Sequence, residues 1–433
     1  MSVWSILLAV LVLGILAAFH ETGHFFVAKW LKVKVEEFSV FVGPSLVSWK
    51  RKGVDYHIRL FPFGAYVRYK GMEEESDTED PDMFLNQPRW KRLVVSLAGP
   101  FTNFLLGMAI FAVIFSQFGY GSTRVAAAPE GSQLHMAGVG EGDRILFANG
   151  KRILTGMDLS YLLSMITDTQ SLDFVMESMG TGERYTAALT PKIAKKYRLG
   201  FTYSGGTDEN GGYTILEVDP ASNEGSPVLE IGDSILSVND IPVTDPDFSM
   251  AIAESRGEDL RVRLIRDQVD MEVKMRATAF DTGNPRGISL LSGHDFRGIM
   301  EQSLYYPVSY FRLTFSILGD MFSGRVAPED TLSGPLGVMT VVSEVVDTKE
   351  TDTGVKVEQM GILSGVISVA LAFSNMLPIP GLDGNSLVLL LIEMVRGKKL
   401  SLRAEGVINA IGFVCLILLA GLALFSDIFR LVR

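Results

Sequence analysis

Residues Met1 to Phe19 carry no charge, and the helix they specify continues directly into His20, Glu21 and His24. This conjunction constrains the chain more than any other feature. An uncharged run of about 20 helical residues crosses roughly 30 Å of hydrocarbon. Ionisable groups inside such a run are costly, and they mark function where they persist. No basic residue precedes the run, and no small-x-small cleavage pattern leads into a polar region. It therefore reads as a retained span and not as a cleaved signal.

Three more stretches are long and uncharged enough to span: Leu93 to Thr123, Gln359 to Leu382, and Gly406 to Ser426. The expected fold is thus a multi-pass α-helical membrane protein with four transmembrane helices, assigned to residues 1–31, 93–120, 358–384 and 404–428. Basic residues concentrate between Lys29 and Val94 and again at Arg396, Lys398, Lys399 and Arg403, whereas the stretch before span three leans acidic. By the positive-inside rule both termini and the large middle region lie outside the cytosol. A net charge of −11 argues against nucleic acid as a partner. The single cysteine, Cys415, sits in an apolar run, so neither an intrachain disulfide nor a cysteine metal site is available.

Between the first two spans, residues 32–92 form a predicted cytosolic or membrane re-entrant β region. The stretch "EEFSVFVGPSLVSWKRKGVDYHIRLFPFGAYVRYKGM" alternates apolar and polar residues and turns at Gly43-Pro44 and Gly53. An acidic loop, Glu73 to Asp82, follows. Farther on, "EGDRILFANGKRI" at 141–153 recurs as "IGDSILSVNDIPV" at 231–243, ninety residues later. This period points to two copies of one small β-rich domain and not to a solenoid. The shared Gly-Asp-x-Ile-Leu and the following Asn resemble the PDZ module, giving two extracytoplasmic PDZ-like α/β domains at 124–200 and 201–280. Residues 290–357, apolar but interrupted by Arg297, Glu301, Arg312 and Asp320, read as amphipathic helices lying on the membrane surface.

The chemistry starts at His20-Glu21-Thr22-Gly23-His24. Positions i and i+4 share a helix face, so both imidazoles can hold one metal ion, and Glu21 projects about 100° away, within reach of a water on that ion. This is the HExxH arrangement of zinc hydrolases, in which the glutamate is the general base. A catalytic zinc needs a third protein ligand and one open position. The candidate is Asp383 in "NMLPIPGLDGN", where Pro378 and Pro380 break the helix and Gly381 and Gly384 turn the backbone. By topology His20, His24 and Asp383 all lie toward the cytosolic face. His57, His135 and His294 are isolated, and we read them as packing or surface residues.

HExxH in the first span, Asn-x-x-Pro-x-Pro-x-Leu-Asp-Gly downstream, and two PDZ-like modules between spans two and three together resemble the site-2 protease family. "GPFTN" (Gly99 to Asn103) and "SGPLG" (Ser333 to Gly337) extend the likeness over nearly the whole chain. It departs after Leu-Asp-Gly, where Asn385 and Ser386 replace the second glycine and the histidine often found in the family. The resemblance implies a zinc metalloprotease of a bacterial inner membrane, in contact with membrane lipid, with periplasmic PDZ modules. Its substrates would be single-pass membrane proteins of the anti-sigma-factor type, or signal-peptide remnants, already trimmed on the outer side by another protease. The PDZ pair would act as a size filter. The resemblance maps zinc to His20, His24 and Asp383, and the base to Glu21. Substrate contacts map to Asn375, Pro378 and Pro380 and to the strand Gly64, Ala65, Tyr66 and Val67. A helix hides its scissile carbonyls, and an edge strand offers replacement hydrogen bonds to the unwound chain. A membrane-anchored scaffold with a degenerate motif, or a zinc transporter, is the competing expectation. The intact His20, Glu21, His24 and Asp383 disfavour the scaffold, and the near absence of carboxylates and histidines from spans two and four disfavours the transporter.

Overall fold

The computed structural model describes residues 2–71, 80–204, 206–244, 247–326, 335–348 and 352–398, with scattered positions from 406 to 427. The expected acidic loop and the fourth expected span lie largely outside the described residues. The chain divides into two compact units, Met1–Thr123 with Leu154–Tyr161 and Leu291–Arg433, and Arg124–Ile153 with Leu162–Leu290.

The first unit opens with helix α1 (Val3–Trp30). Its large side chains Leu7, Leu11, Ile15, Phe19 and Phe26 point outward, while Ser5, Ala9, Gly23 and the two histidines are buried. A helix with apolar groups outside and small or polar groups inside suits lipid as its solvent. Strands β1 (Val35–Arg51) and β2 (Val54–Tyr69) follow, joined by a tight turn at Lys52 and Gly53, both at positive φ. Each long strand bends, at Phe41 to Gly43 in β1 and near Gly64 in β2. The chain reverses direction at the first of these, so the Gly43-Pro44 turn expected from sequence lies inside the span of β1. Phe38 pairs with both Val67 and Tyr56, and Val40 with both Ala65 and Ile58. The two strands thus lay down four segments in the order 64–69, 35–40, 54–61, 45–51: 35–40 runs antiparallel to 64–69 but alongside 54–58 in the same direction, 45–51 runs antiparallel to 54–61, and residues 64–69 form an outer edge. Glu37, 5% exposed, anchors the hairpin: it accepts hydrogen bonds from Arg59 Nη2 (2.8 Å) and the Tyr66 hydroxyl (2.6 Å) and pairs with Arg68 Nη2 at 2.9 Å. His57, read as a packing residue, lies 3.5 Å from the same carboxylate.

Helix α2 (Arg89–Phe118) returns across the unit and leads into the β-rich unit. The next elements are β3 (Tyr120–Ala127), α3 (Gln133–Met136), β4 (Arg144–Ala148), β5 (Lys151–Arg152), α4 (Gly156–Ser164), β6 (Leu172–Glu177), β7 (Arg184–Leu189) and β8 (Ile193–Arg198). Then come β9 (Phe201–Tyr203), β10 (Tyr213–Val218), α5 (Ser222–Gly225), β11 (Ser234–Val238), β12 (Ile241–Pro242), α6 (Asp247–Glu254), β13 (Asp259–Arg266), β14 (Val269–Arg276), β15 (Thr278–Gly283) and β16 (Ser289–Gly293). Two sheets share one plan. One runs β16-β3-β4-β6-β7 with β5 beside β4, and the other β9-β10-β11-β13-β14 with β12 beside β11. The repeated motif residues do the same work in both. Asn149 and Asn239 each take φ +46, a left-handed position that asparagine tolerates. Each uses its Oδ1 to accept a backbone N–H from the neighbouring strand at 2.9 Å, from Asp173 and Arg261 respectively. Asp143 and Asp233 each accept the N–H three residues upstream, at 2.9 and 2.8 Å. The ninety-residue repeat is therefore a repeat of structure.

Back in the first unit, α7 (Phe296–Phe322) runs unbroken for 27 residues, followed by α8 (Pro335–Asp347), α9 (Thr353–Met376) and α10 (Asp383–Arg396). Asp347 at the end of α8 accepts Ser2 N–H (2.7 Å) and the Ser343 hydroxyl (2.6 Å), tying the start of α1 in place. Among the described residues three helices, α1, α2 and α9, are long and apolar enough to cross a membrane. Span three, expected to reach Leu382, ends at Met376; Leu377 to Leu382 form a loop, and α10 starts at Asp383. Pro378 and Pro380 are the physical reason, since neither supplies a backbone N–H to continue the helix. Glycines bring α9 against α2: a Cβ on Gly365 would meet the Phe111 ring at 2.8 Å.

One buried ion pair holds α10 to α2. Arg92, 5% exposed, donates to Glu393, 2% exposed. Removing one partner leaves the other charge buried and unpaired. Glu393→Ala should therefore lower stability by about 3 kcal/mol, read as a fall in thermal unfolding temperature in detergent. The double variant Arg92→Met/Glu393→Leu should recover most of that loss.

Candidate metal centre

One turn of α1 carries His20 and His24, and the first residue of α10 carries Asp383. Their ligand atoms converge. His20 Nε2 lies 2.9 Å and His24 Nε2 3.2 Å from the same oxygen, Asp383 Oδ2, and the two Nε2 atoms are 3.2 Å apart. Both imidazoles are buried, while the Asp383 side chain is 24% exposed, which leaves one side of the cluster approachable.

The hydrogen-bonding roles make this cluster specific. His24 Nδ1 lies 2.7 Å from the carbonyl of Val95, so Nδ1 holds the proton and Nε2 presents a lone pair. His20 Nδ1 faces the buried amide of Asn103 at 3.4 Å, while Asn103 Oδ1 is left without a partner. Turning that amide over gives its oxygen the His20 Nδ1 proton and leaves His20 Nε2 a lone pair as well. Three acceptors then meet with no donor between them, an arrangement that a cation makes favourable. A tetrahedral zinc with ligands at about 2.0–2.1 Å holds its donor atoms roughly 3.3 Å apart, close to the spacing observed. The backbone leaves room for it: a Cβ on Gly99 of α2 would sit 2.3 Å from His24 Nε2 and 2.5 Å from His20 Nε2. Two imidazoles and a carboxylate, cradled at a glycine, fit zinc.

Glu21, next to His20, receives a backbone hydrogen bond from Val67 and feels the charges of His20, His24 and Asp383. The strand Gly64 to Val67 thus reaches the same centre from the edge of the hairpin. The Tyr66 hydroxyl is committed to Glu37, so its side chain serves the hairpin. Asn375 is half-buried near the end of α9, and Pro378 and Pro380 lie in the loop that precedes Asp383. That loop folds back tightly: Gly381 has φ +96, and a Cβ on Gly384 would lie 2.2 Å from the Leu377 carbonyl oxygen.

Sequence reasoning missed the part played by α2. Arg92, Val95, Gly99 and Asn103 recur at helical spacing on one face. In turn they hold α10, orient His24, make room at the centre and face His20. The signal was present as a charge and a small residue on a regular stripe, but each partner lies far away in sequence. Asn103→Ala should remove the group facing His20 Nδ1 and weaken zinc binding about tenfold or more, measured by competition against a calibrated chelator. Gly99→Ala should abolish stoichiometric zinc.

A profile of Peptidase family M50 matches residues 8–419. The Regulator of sigma-E protease RseP of Escherichia coli K12 is 28% identical over 466 residues, covering 99% of each chain. Protease RseP of Yersinia pestis is 26% identical over 480 residues, again covering 99% of both. A Clostridium acetobutylicum protein that carries the name zinc metalloprotease is 26% identical over 428 residues, covering 99% of this chain and 98% of its own. The solved HtrA3 PDZ domain bound to a phage-derived ligand is 17% identical over 21% of this chain and 93% of that one, with a TM-score of 0.18. A likeness at that score adds nothing to the strand order described above. The match along nearly the full length, on a chain whose apolar first helix carries the His20 and His24 pair, places the protein in Peptidase family M50, as an intramembrane zinc metalloprotease.

Proposed function

We propose that this protease hydrolyses a peptide bond within or near the membrane segment of single-pass membrane proteins that another protease has already cut on the outer side. Anti-sigma-factor-type regulators are the substrate class that the family resemblance implies, and one relative carries the name Regulator of sigma-E protease. The observation that carries the reading is the meeting of three acceptors inside an apolar helix pair, beside the edge of a strand. His20, His24 and Asp383 are the zinc ligands. Zinc bound there supplies Lewis acidity.

The protein's own groups do the rest. Glu21 takes a proton from the attacking water and delivers it to the departing amide nitrogen. The outer segment of β2, Gly64 to Val67, lines up the unwound substrate through backbone hydrogen bonds. Asn375, Pro378 and Pro380 border the substrate from the other side. The distribution of Lys and Arg supports an inner-membrane protein with both termini and the β-rich unit outside and the centre toward the cytosol.

The two β domains are PDZ-like modules that exclude bulky, untrimmed substrate. In both, the motif residues hold strands and turns together.

Glu21→Gln should keep zinc and fold yet lose cleavage, because the ligands remain and the base does not. The assay is co-expression with tagged single-pass proteins lacking their outer domains; substantial cleavage by that variant would rule the mechanism out. Asp383→Ala should lower zinc occupancy, and unchanged stoichiometry would place the third ligand elsewhere. Deleting residues 126–279 and joining the ends by a flexible linker tests the filter. The shortened enzyme should cut untrimmed as well as trimmed substrate. Retained selectivity would refute exclusion, and loss of both activities in a zinc-loaded protein would mean that the domains dock substrate.

A further inference from the structure

The last residue of β2 holds a polar group that the reaction as written above does not use. Tyr69 is 7% exposed, and its ring stacks on Phe84 with 4.6 Å between centroids. It belongs to a cluster that includes Phe25, next to His24 in sequence, and Val95, whose carbonyl orients His24. Its phenol oxygen is buried and has no hydrogen-bond partner among the described residues. A buried hydroxyl without a partner is destabilising, and phenylalanine would fill the same space without that penalty. The carboxylates whose charge reaches the oxygen are Glu21 and Asp383, the base and the third ligand. Two residues earlier on the same strand, Val67 donates to Glu21. Tyr69 ends the strand whose segment 64–67 is proposed to align the substrate, two residues beyond Val67.

We propose that Tyr69 is a second catalytic side chain, whose phenol O–H donates a hydrogen bond to the oxyanion that develops on the scissile carbonyl. The proposal rests on the proteolytic reading above. No bond to Tyr69 forms or breaks. Water oxygen adds to the carbonyl carbon, its proton passes through Glu21 to the amide nitrogen, the C–N bond breaks, and the phenol keeps its own proton throughout. Burial and the two neighbouring carboxylates both favour the protonated phenol. In the resting enzyme the hydroxyl lacks a partner because its partner, the oxyanion, exists only during the reaction. Stabilisation confined to that moment lowers the barrier without tightening substrate binding.

The test compares native enzyme, Tyr69→Phe and Glu21→Gln as full-length proteins reconstituted in vesicles with trimmed substrate. Tyr69→Phe should contain native zinc and unfold at the native temperature or above it. Its kcat should fall about 100-fold, with KM changed by less than about twofold. A phosphinic peptide that mimics the tetrahedral state should lose affinity by a comparable factor. Native kcat in Tyr69→Phe, with Glu21→Gln inactive, would overturn the role of Tyr69 and leave the protease reading standing. A fall in zinc content or unfolding temperature that matches the fall in kcat would make Tyr69 structural and also overturn it. Full activity in Glu21→Gln would overturn the mechanism on which the proposal is built.

Discussion

Three hydrogen-bond acceptors, His20 Nε2, His24 Nε2 and Asp383 Oδ2, point at one another within 3.2 Å in the interior of an apolar helical unit. Without a cation such a meeting is repulsive and poorly solvated. Much of the surrounding structure serves to enforce it. The Val95 carbonyl fixes the tautomer of His24 and Asn103 faces the outer nitrogen of His20. Gly99 lets the backbone of α2 come within contact of both rings. On the same face Arg92 grips Glu393 and so holds the helix that begins with Asp383. Metal ligands act reliably when such outer contacts leave them one orientation, and here a single helix supplies most of those contacts.

The hairpin solves a different problem. A strand proposed to pair with substrate must keep an edge available, and an exposed edge tends to pair with whatever is nearest. Here β1 and β2 bend and fold across each other, so residues 64–69 pair on one side only. A buried carboxylate, Glu37, ties both strands together through Arg59, Tyr66 and Arg68. Two guanidinium groups and a phenol compensate its charge, which is the condition for placing it in a poorly solvated setting. The result is a stiff edge whose backbone at Val67 already bonds to Glu21.

The β-rich unit shows how a short motif can carry a fold. Gly-Asp and Asn recur after ninety residues because each sits where a backbone turn needs an acceptor or a left-handed residue. The two sheets still differ in one respect. The outer strand beside β10 is its close sequence neighbour β9, whereas the one beside β3 is β16, more than 160 residues onward.

Much of this was legible in the linear chain. Long runs with few charges determined that α1, α2 and α9 are apolar helices of membrane-crossing length. The i, i+4 spacing determined that His20 and His24 share a face, and the prolines and glycines around Asp383 determined that a helix must break there. The ninety-residue repeat announced two sheets of one plan. What only tertiary structure decided depends on partners distant in sequence. Arg92 meets Glu393 across 301 positions, and His20 meets Asn103 across 83. Helix α10, 14 residues long, is too short to register as a span. The unpaired hydroxyl of Tyr69 became visible only once its surroundings were closed. Short-range geometry is written in residue spacing. Which polar atom finds a partner, and which is left waiting for one, is decided by how the helices and strands pack.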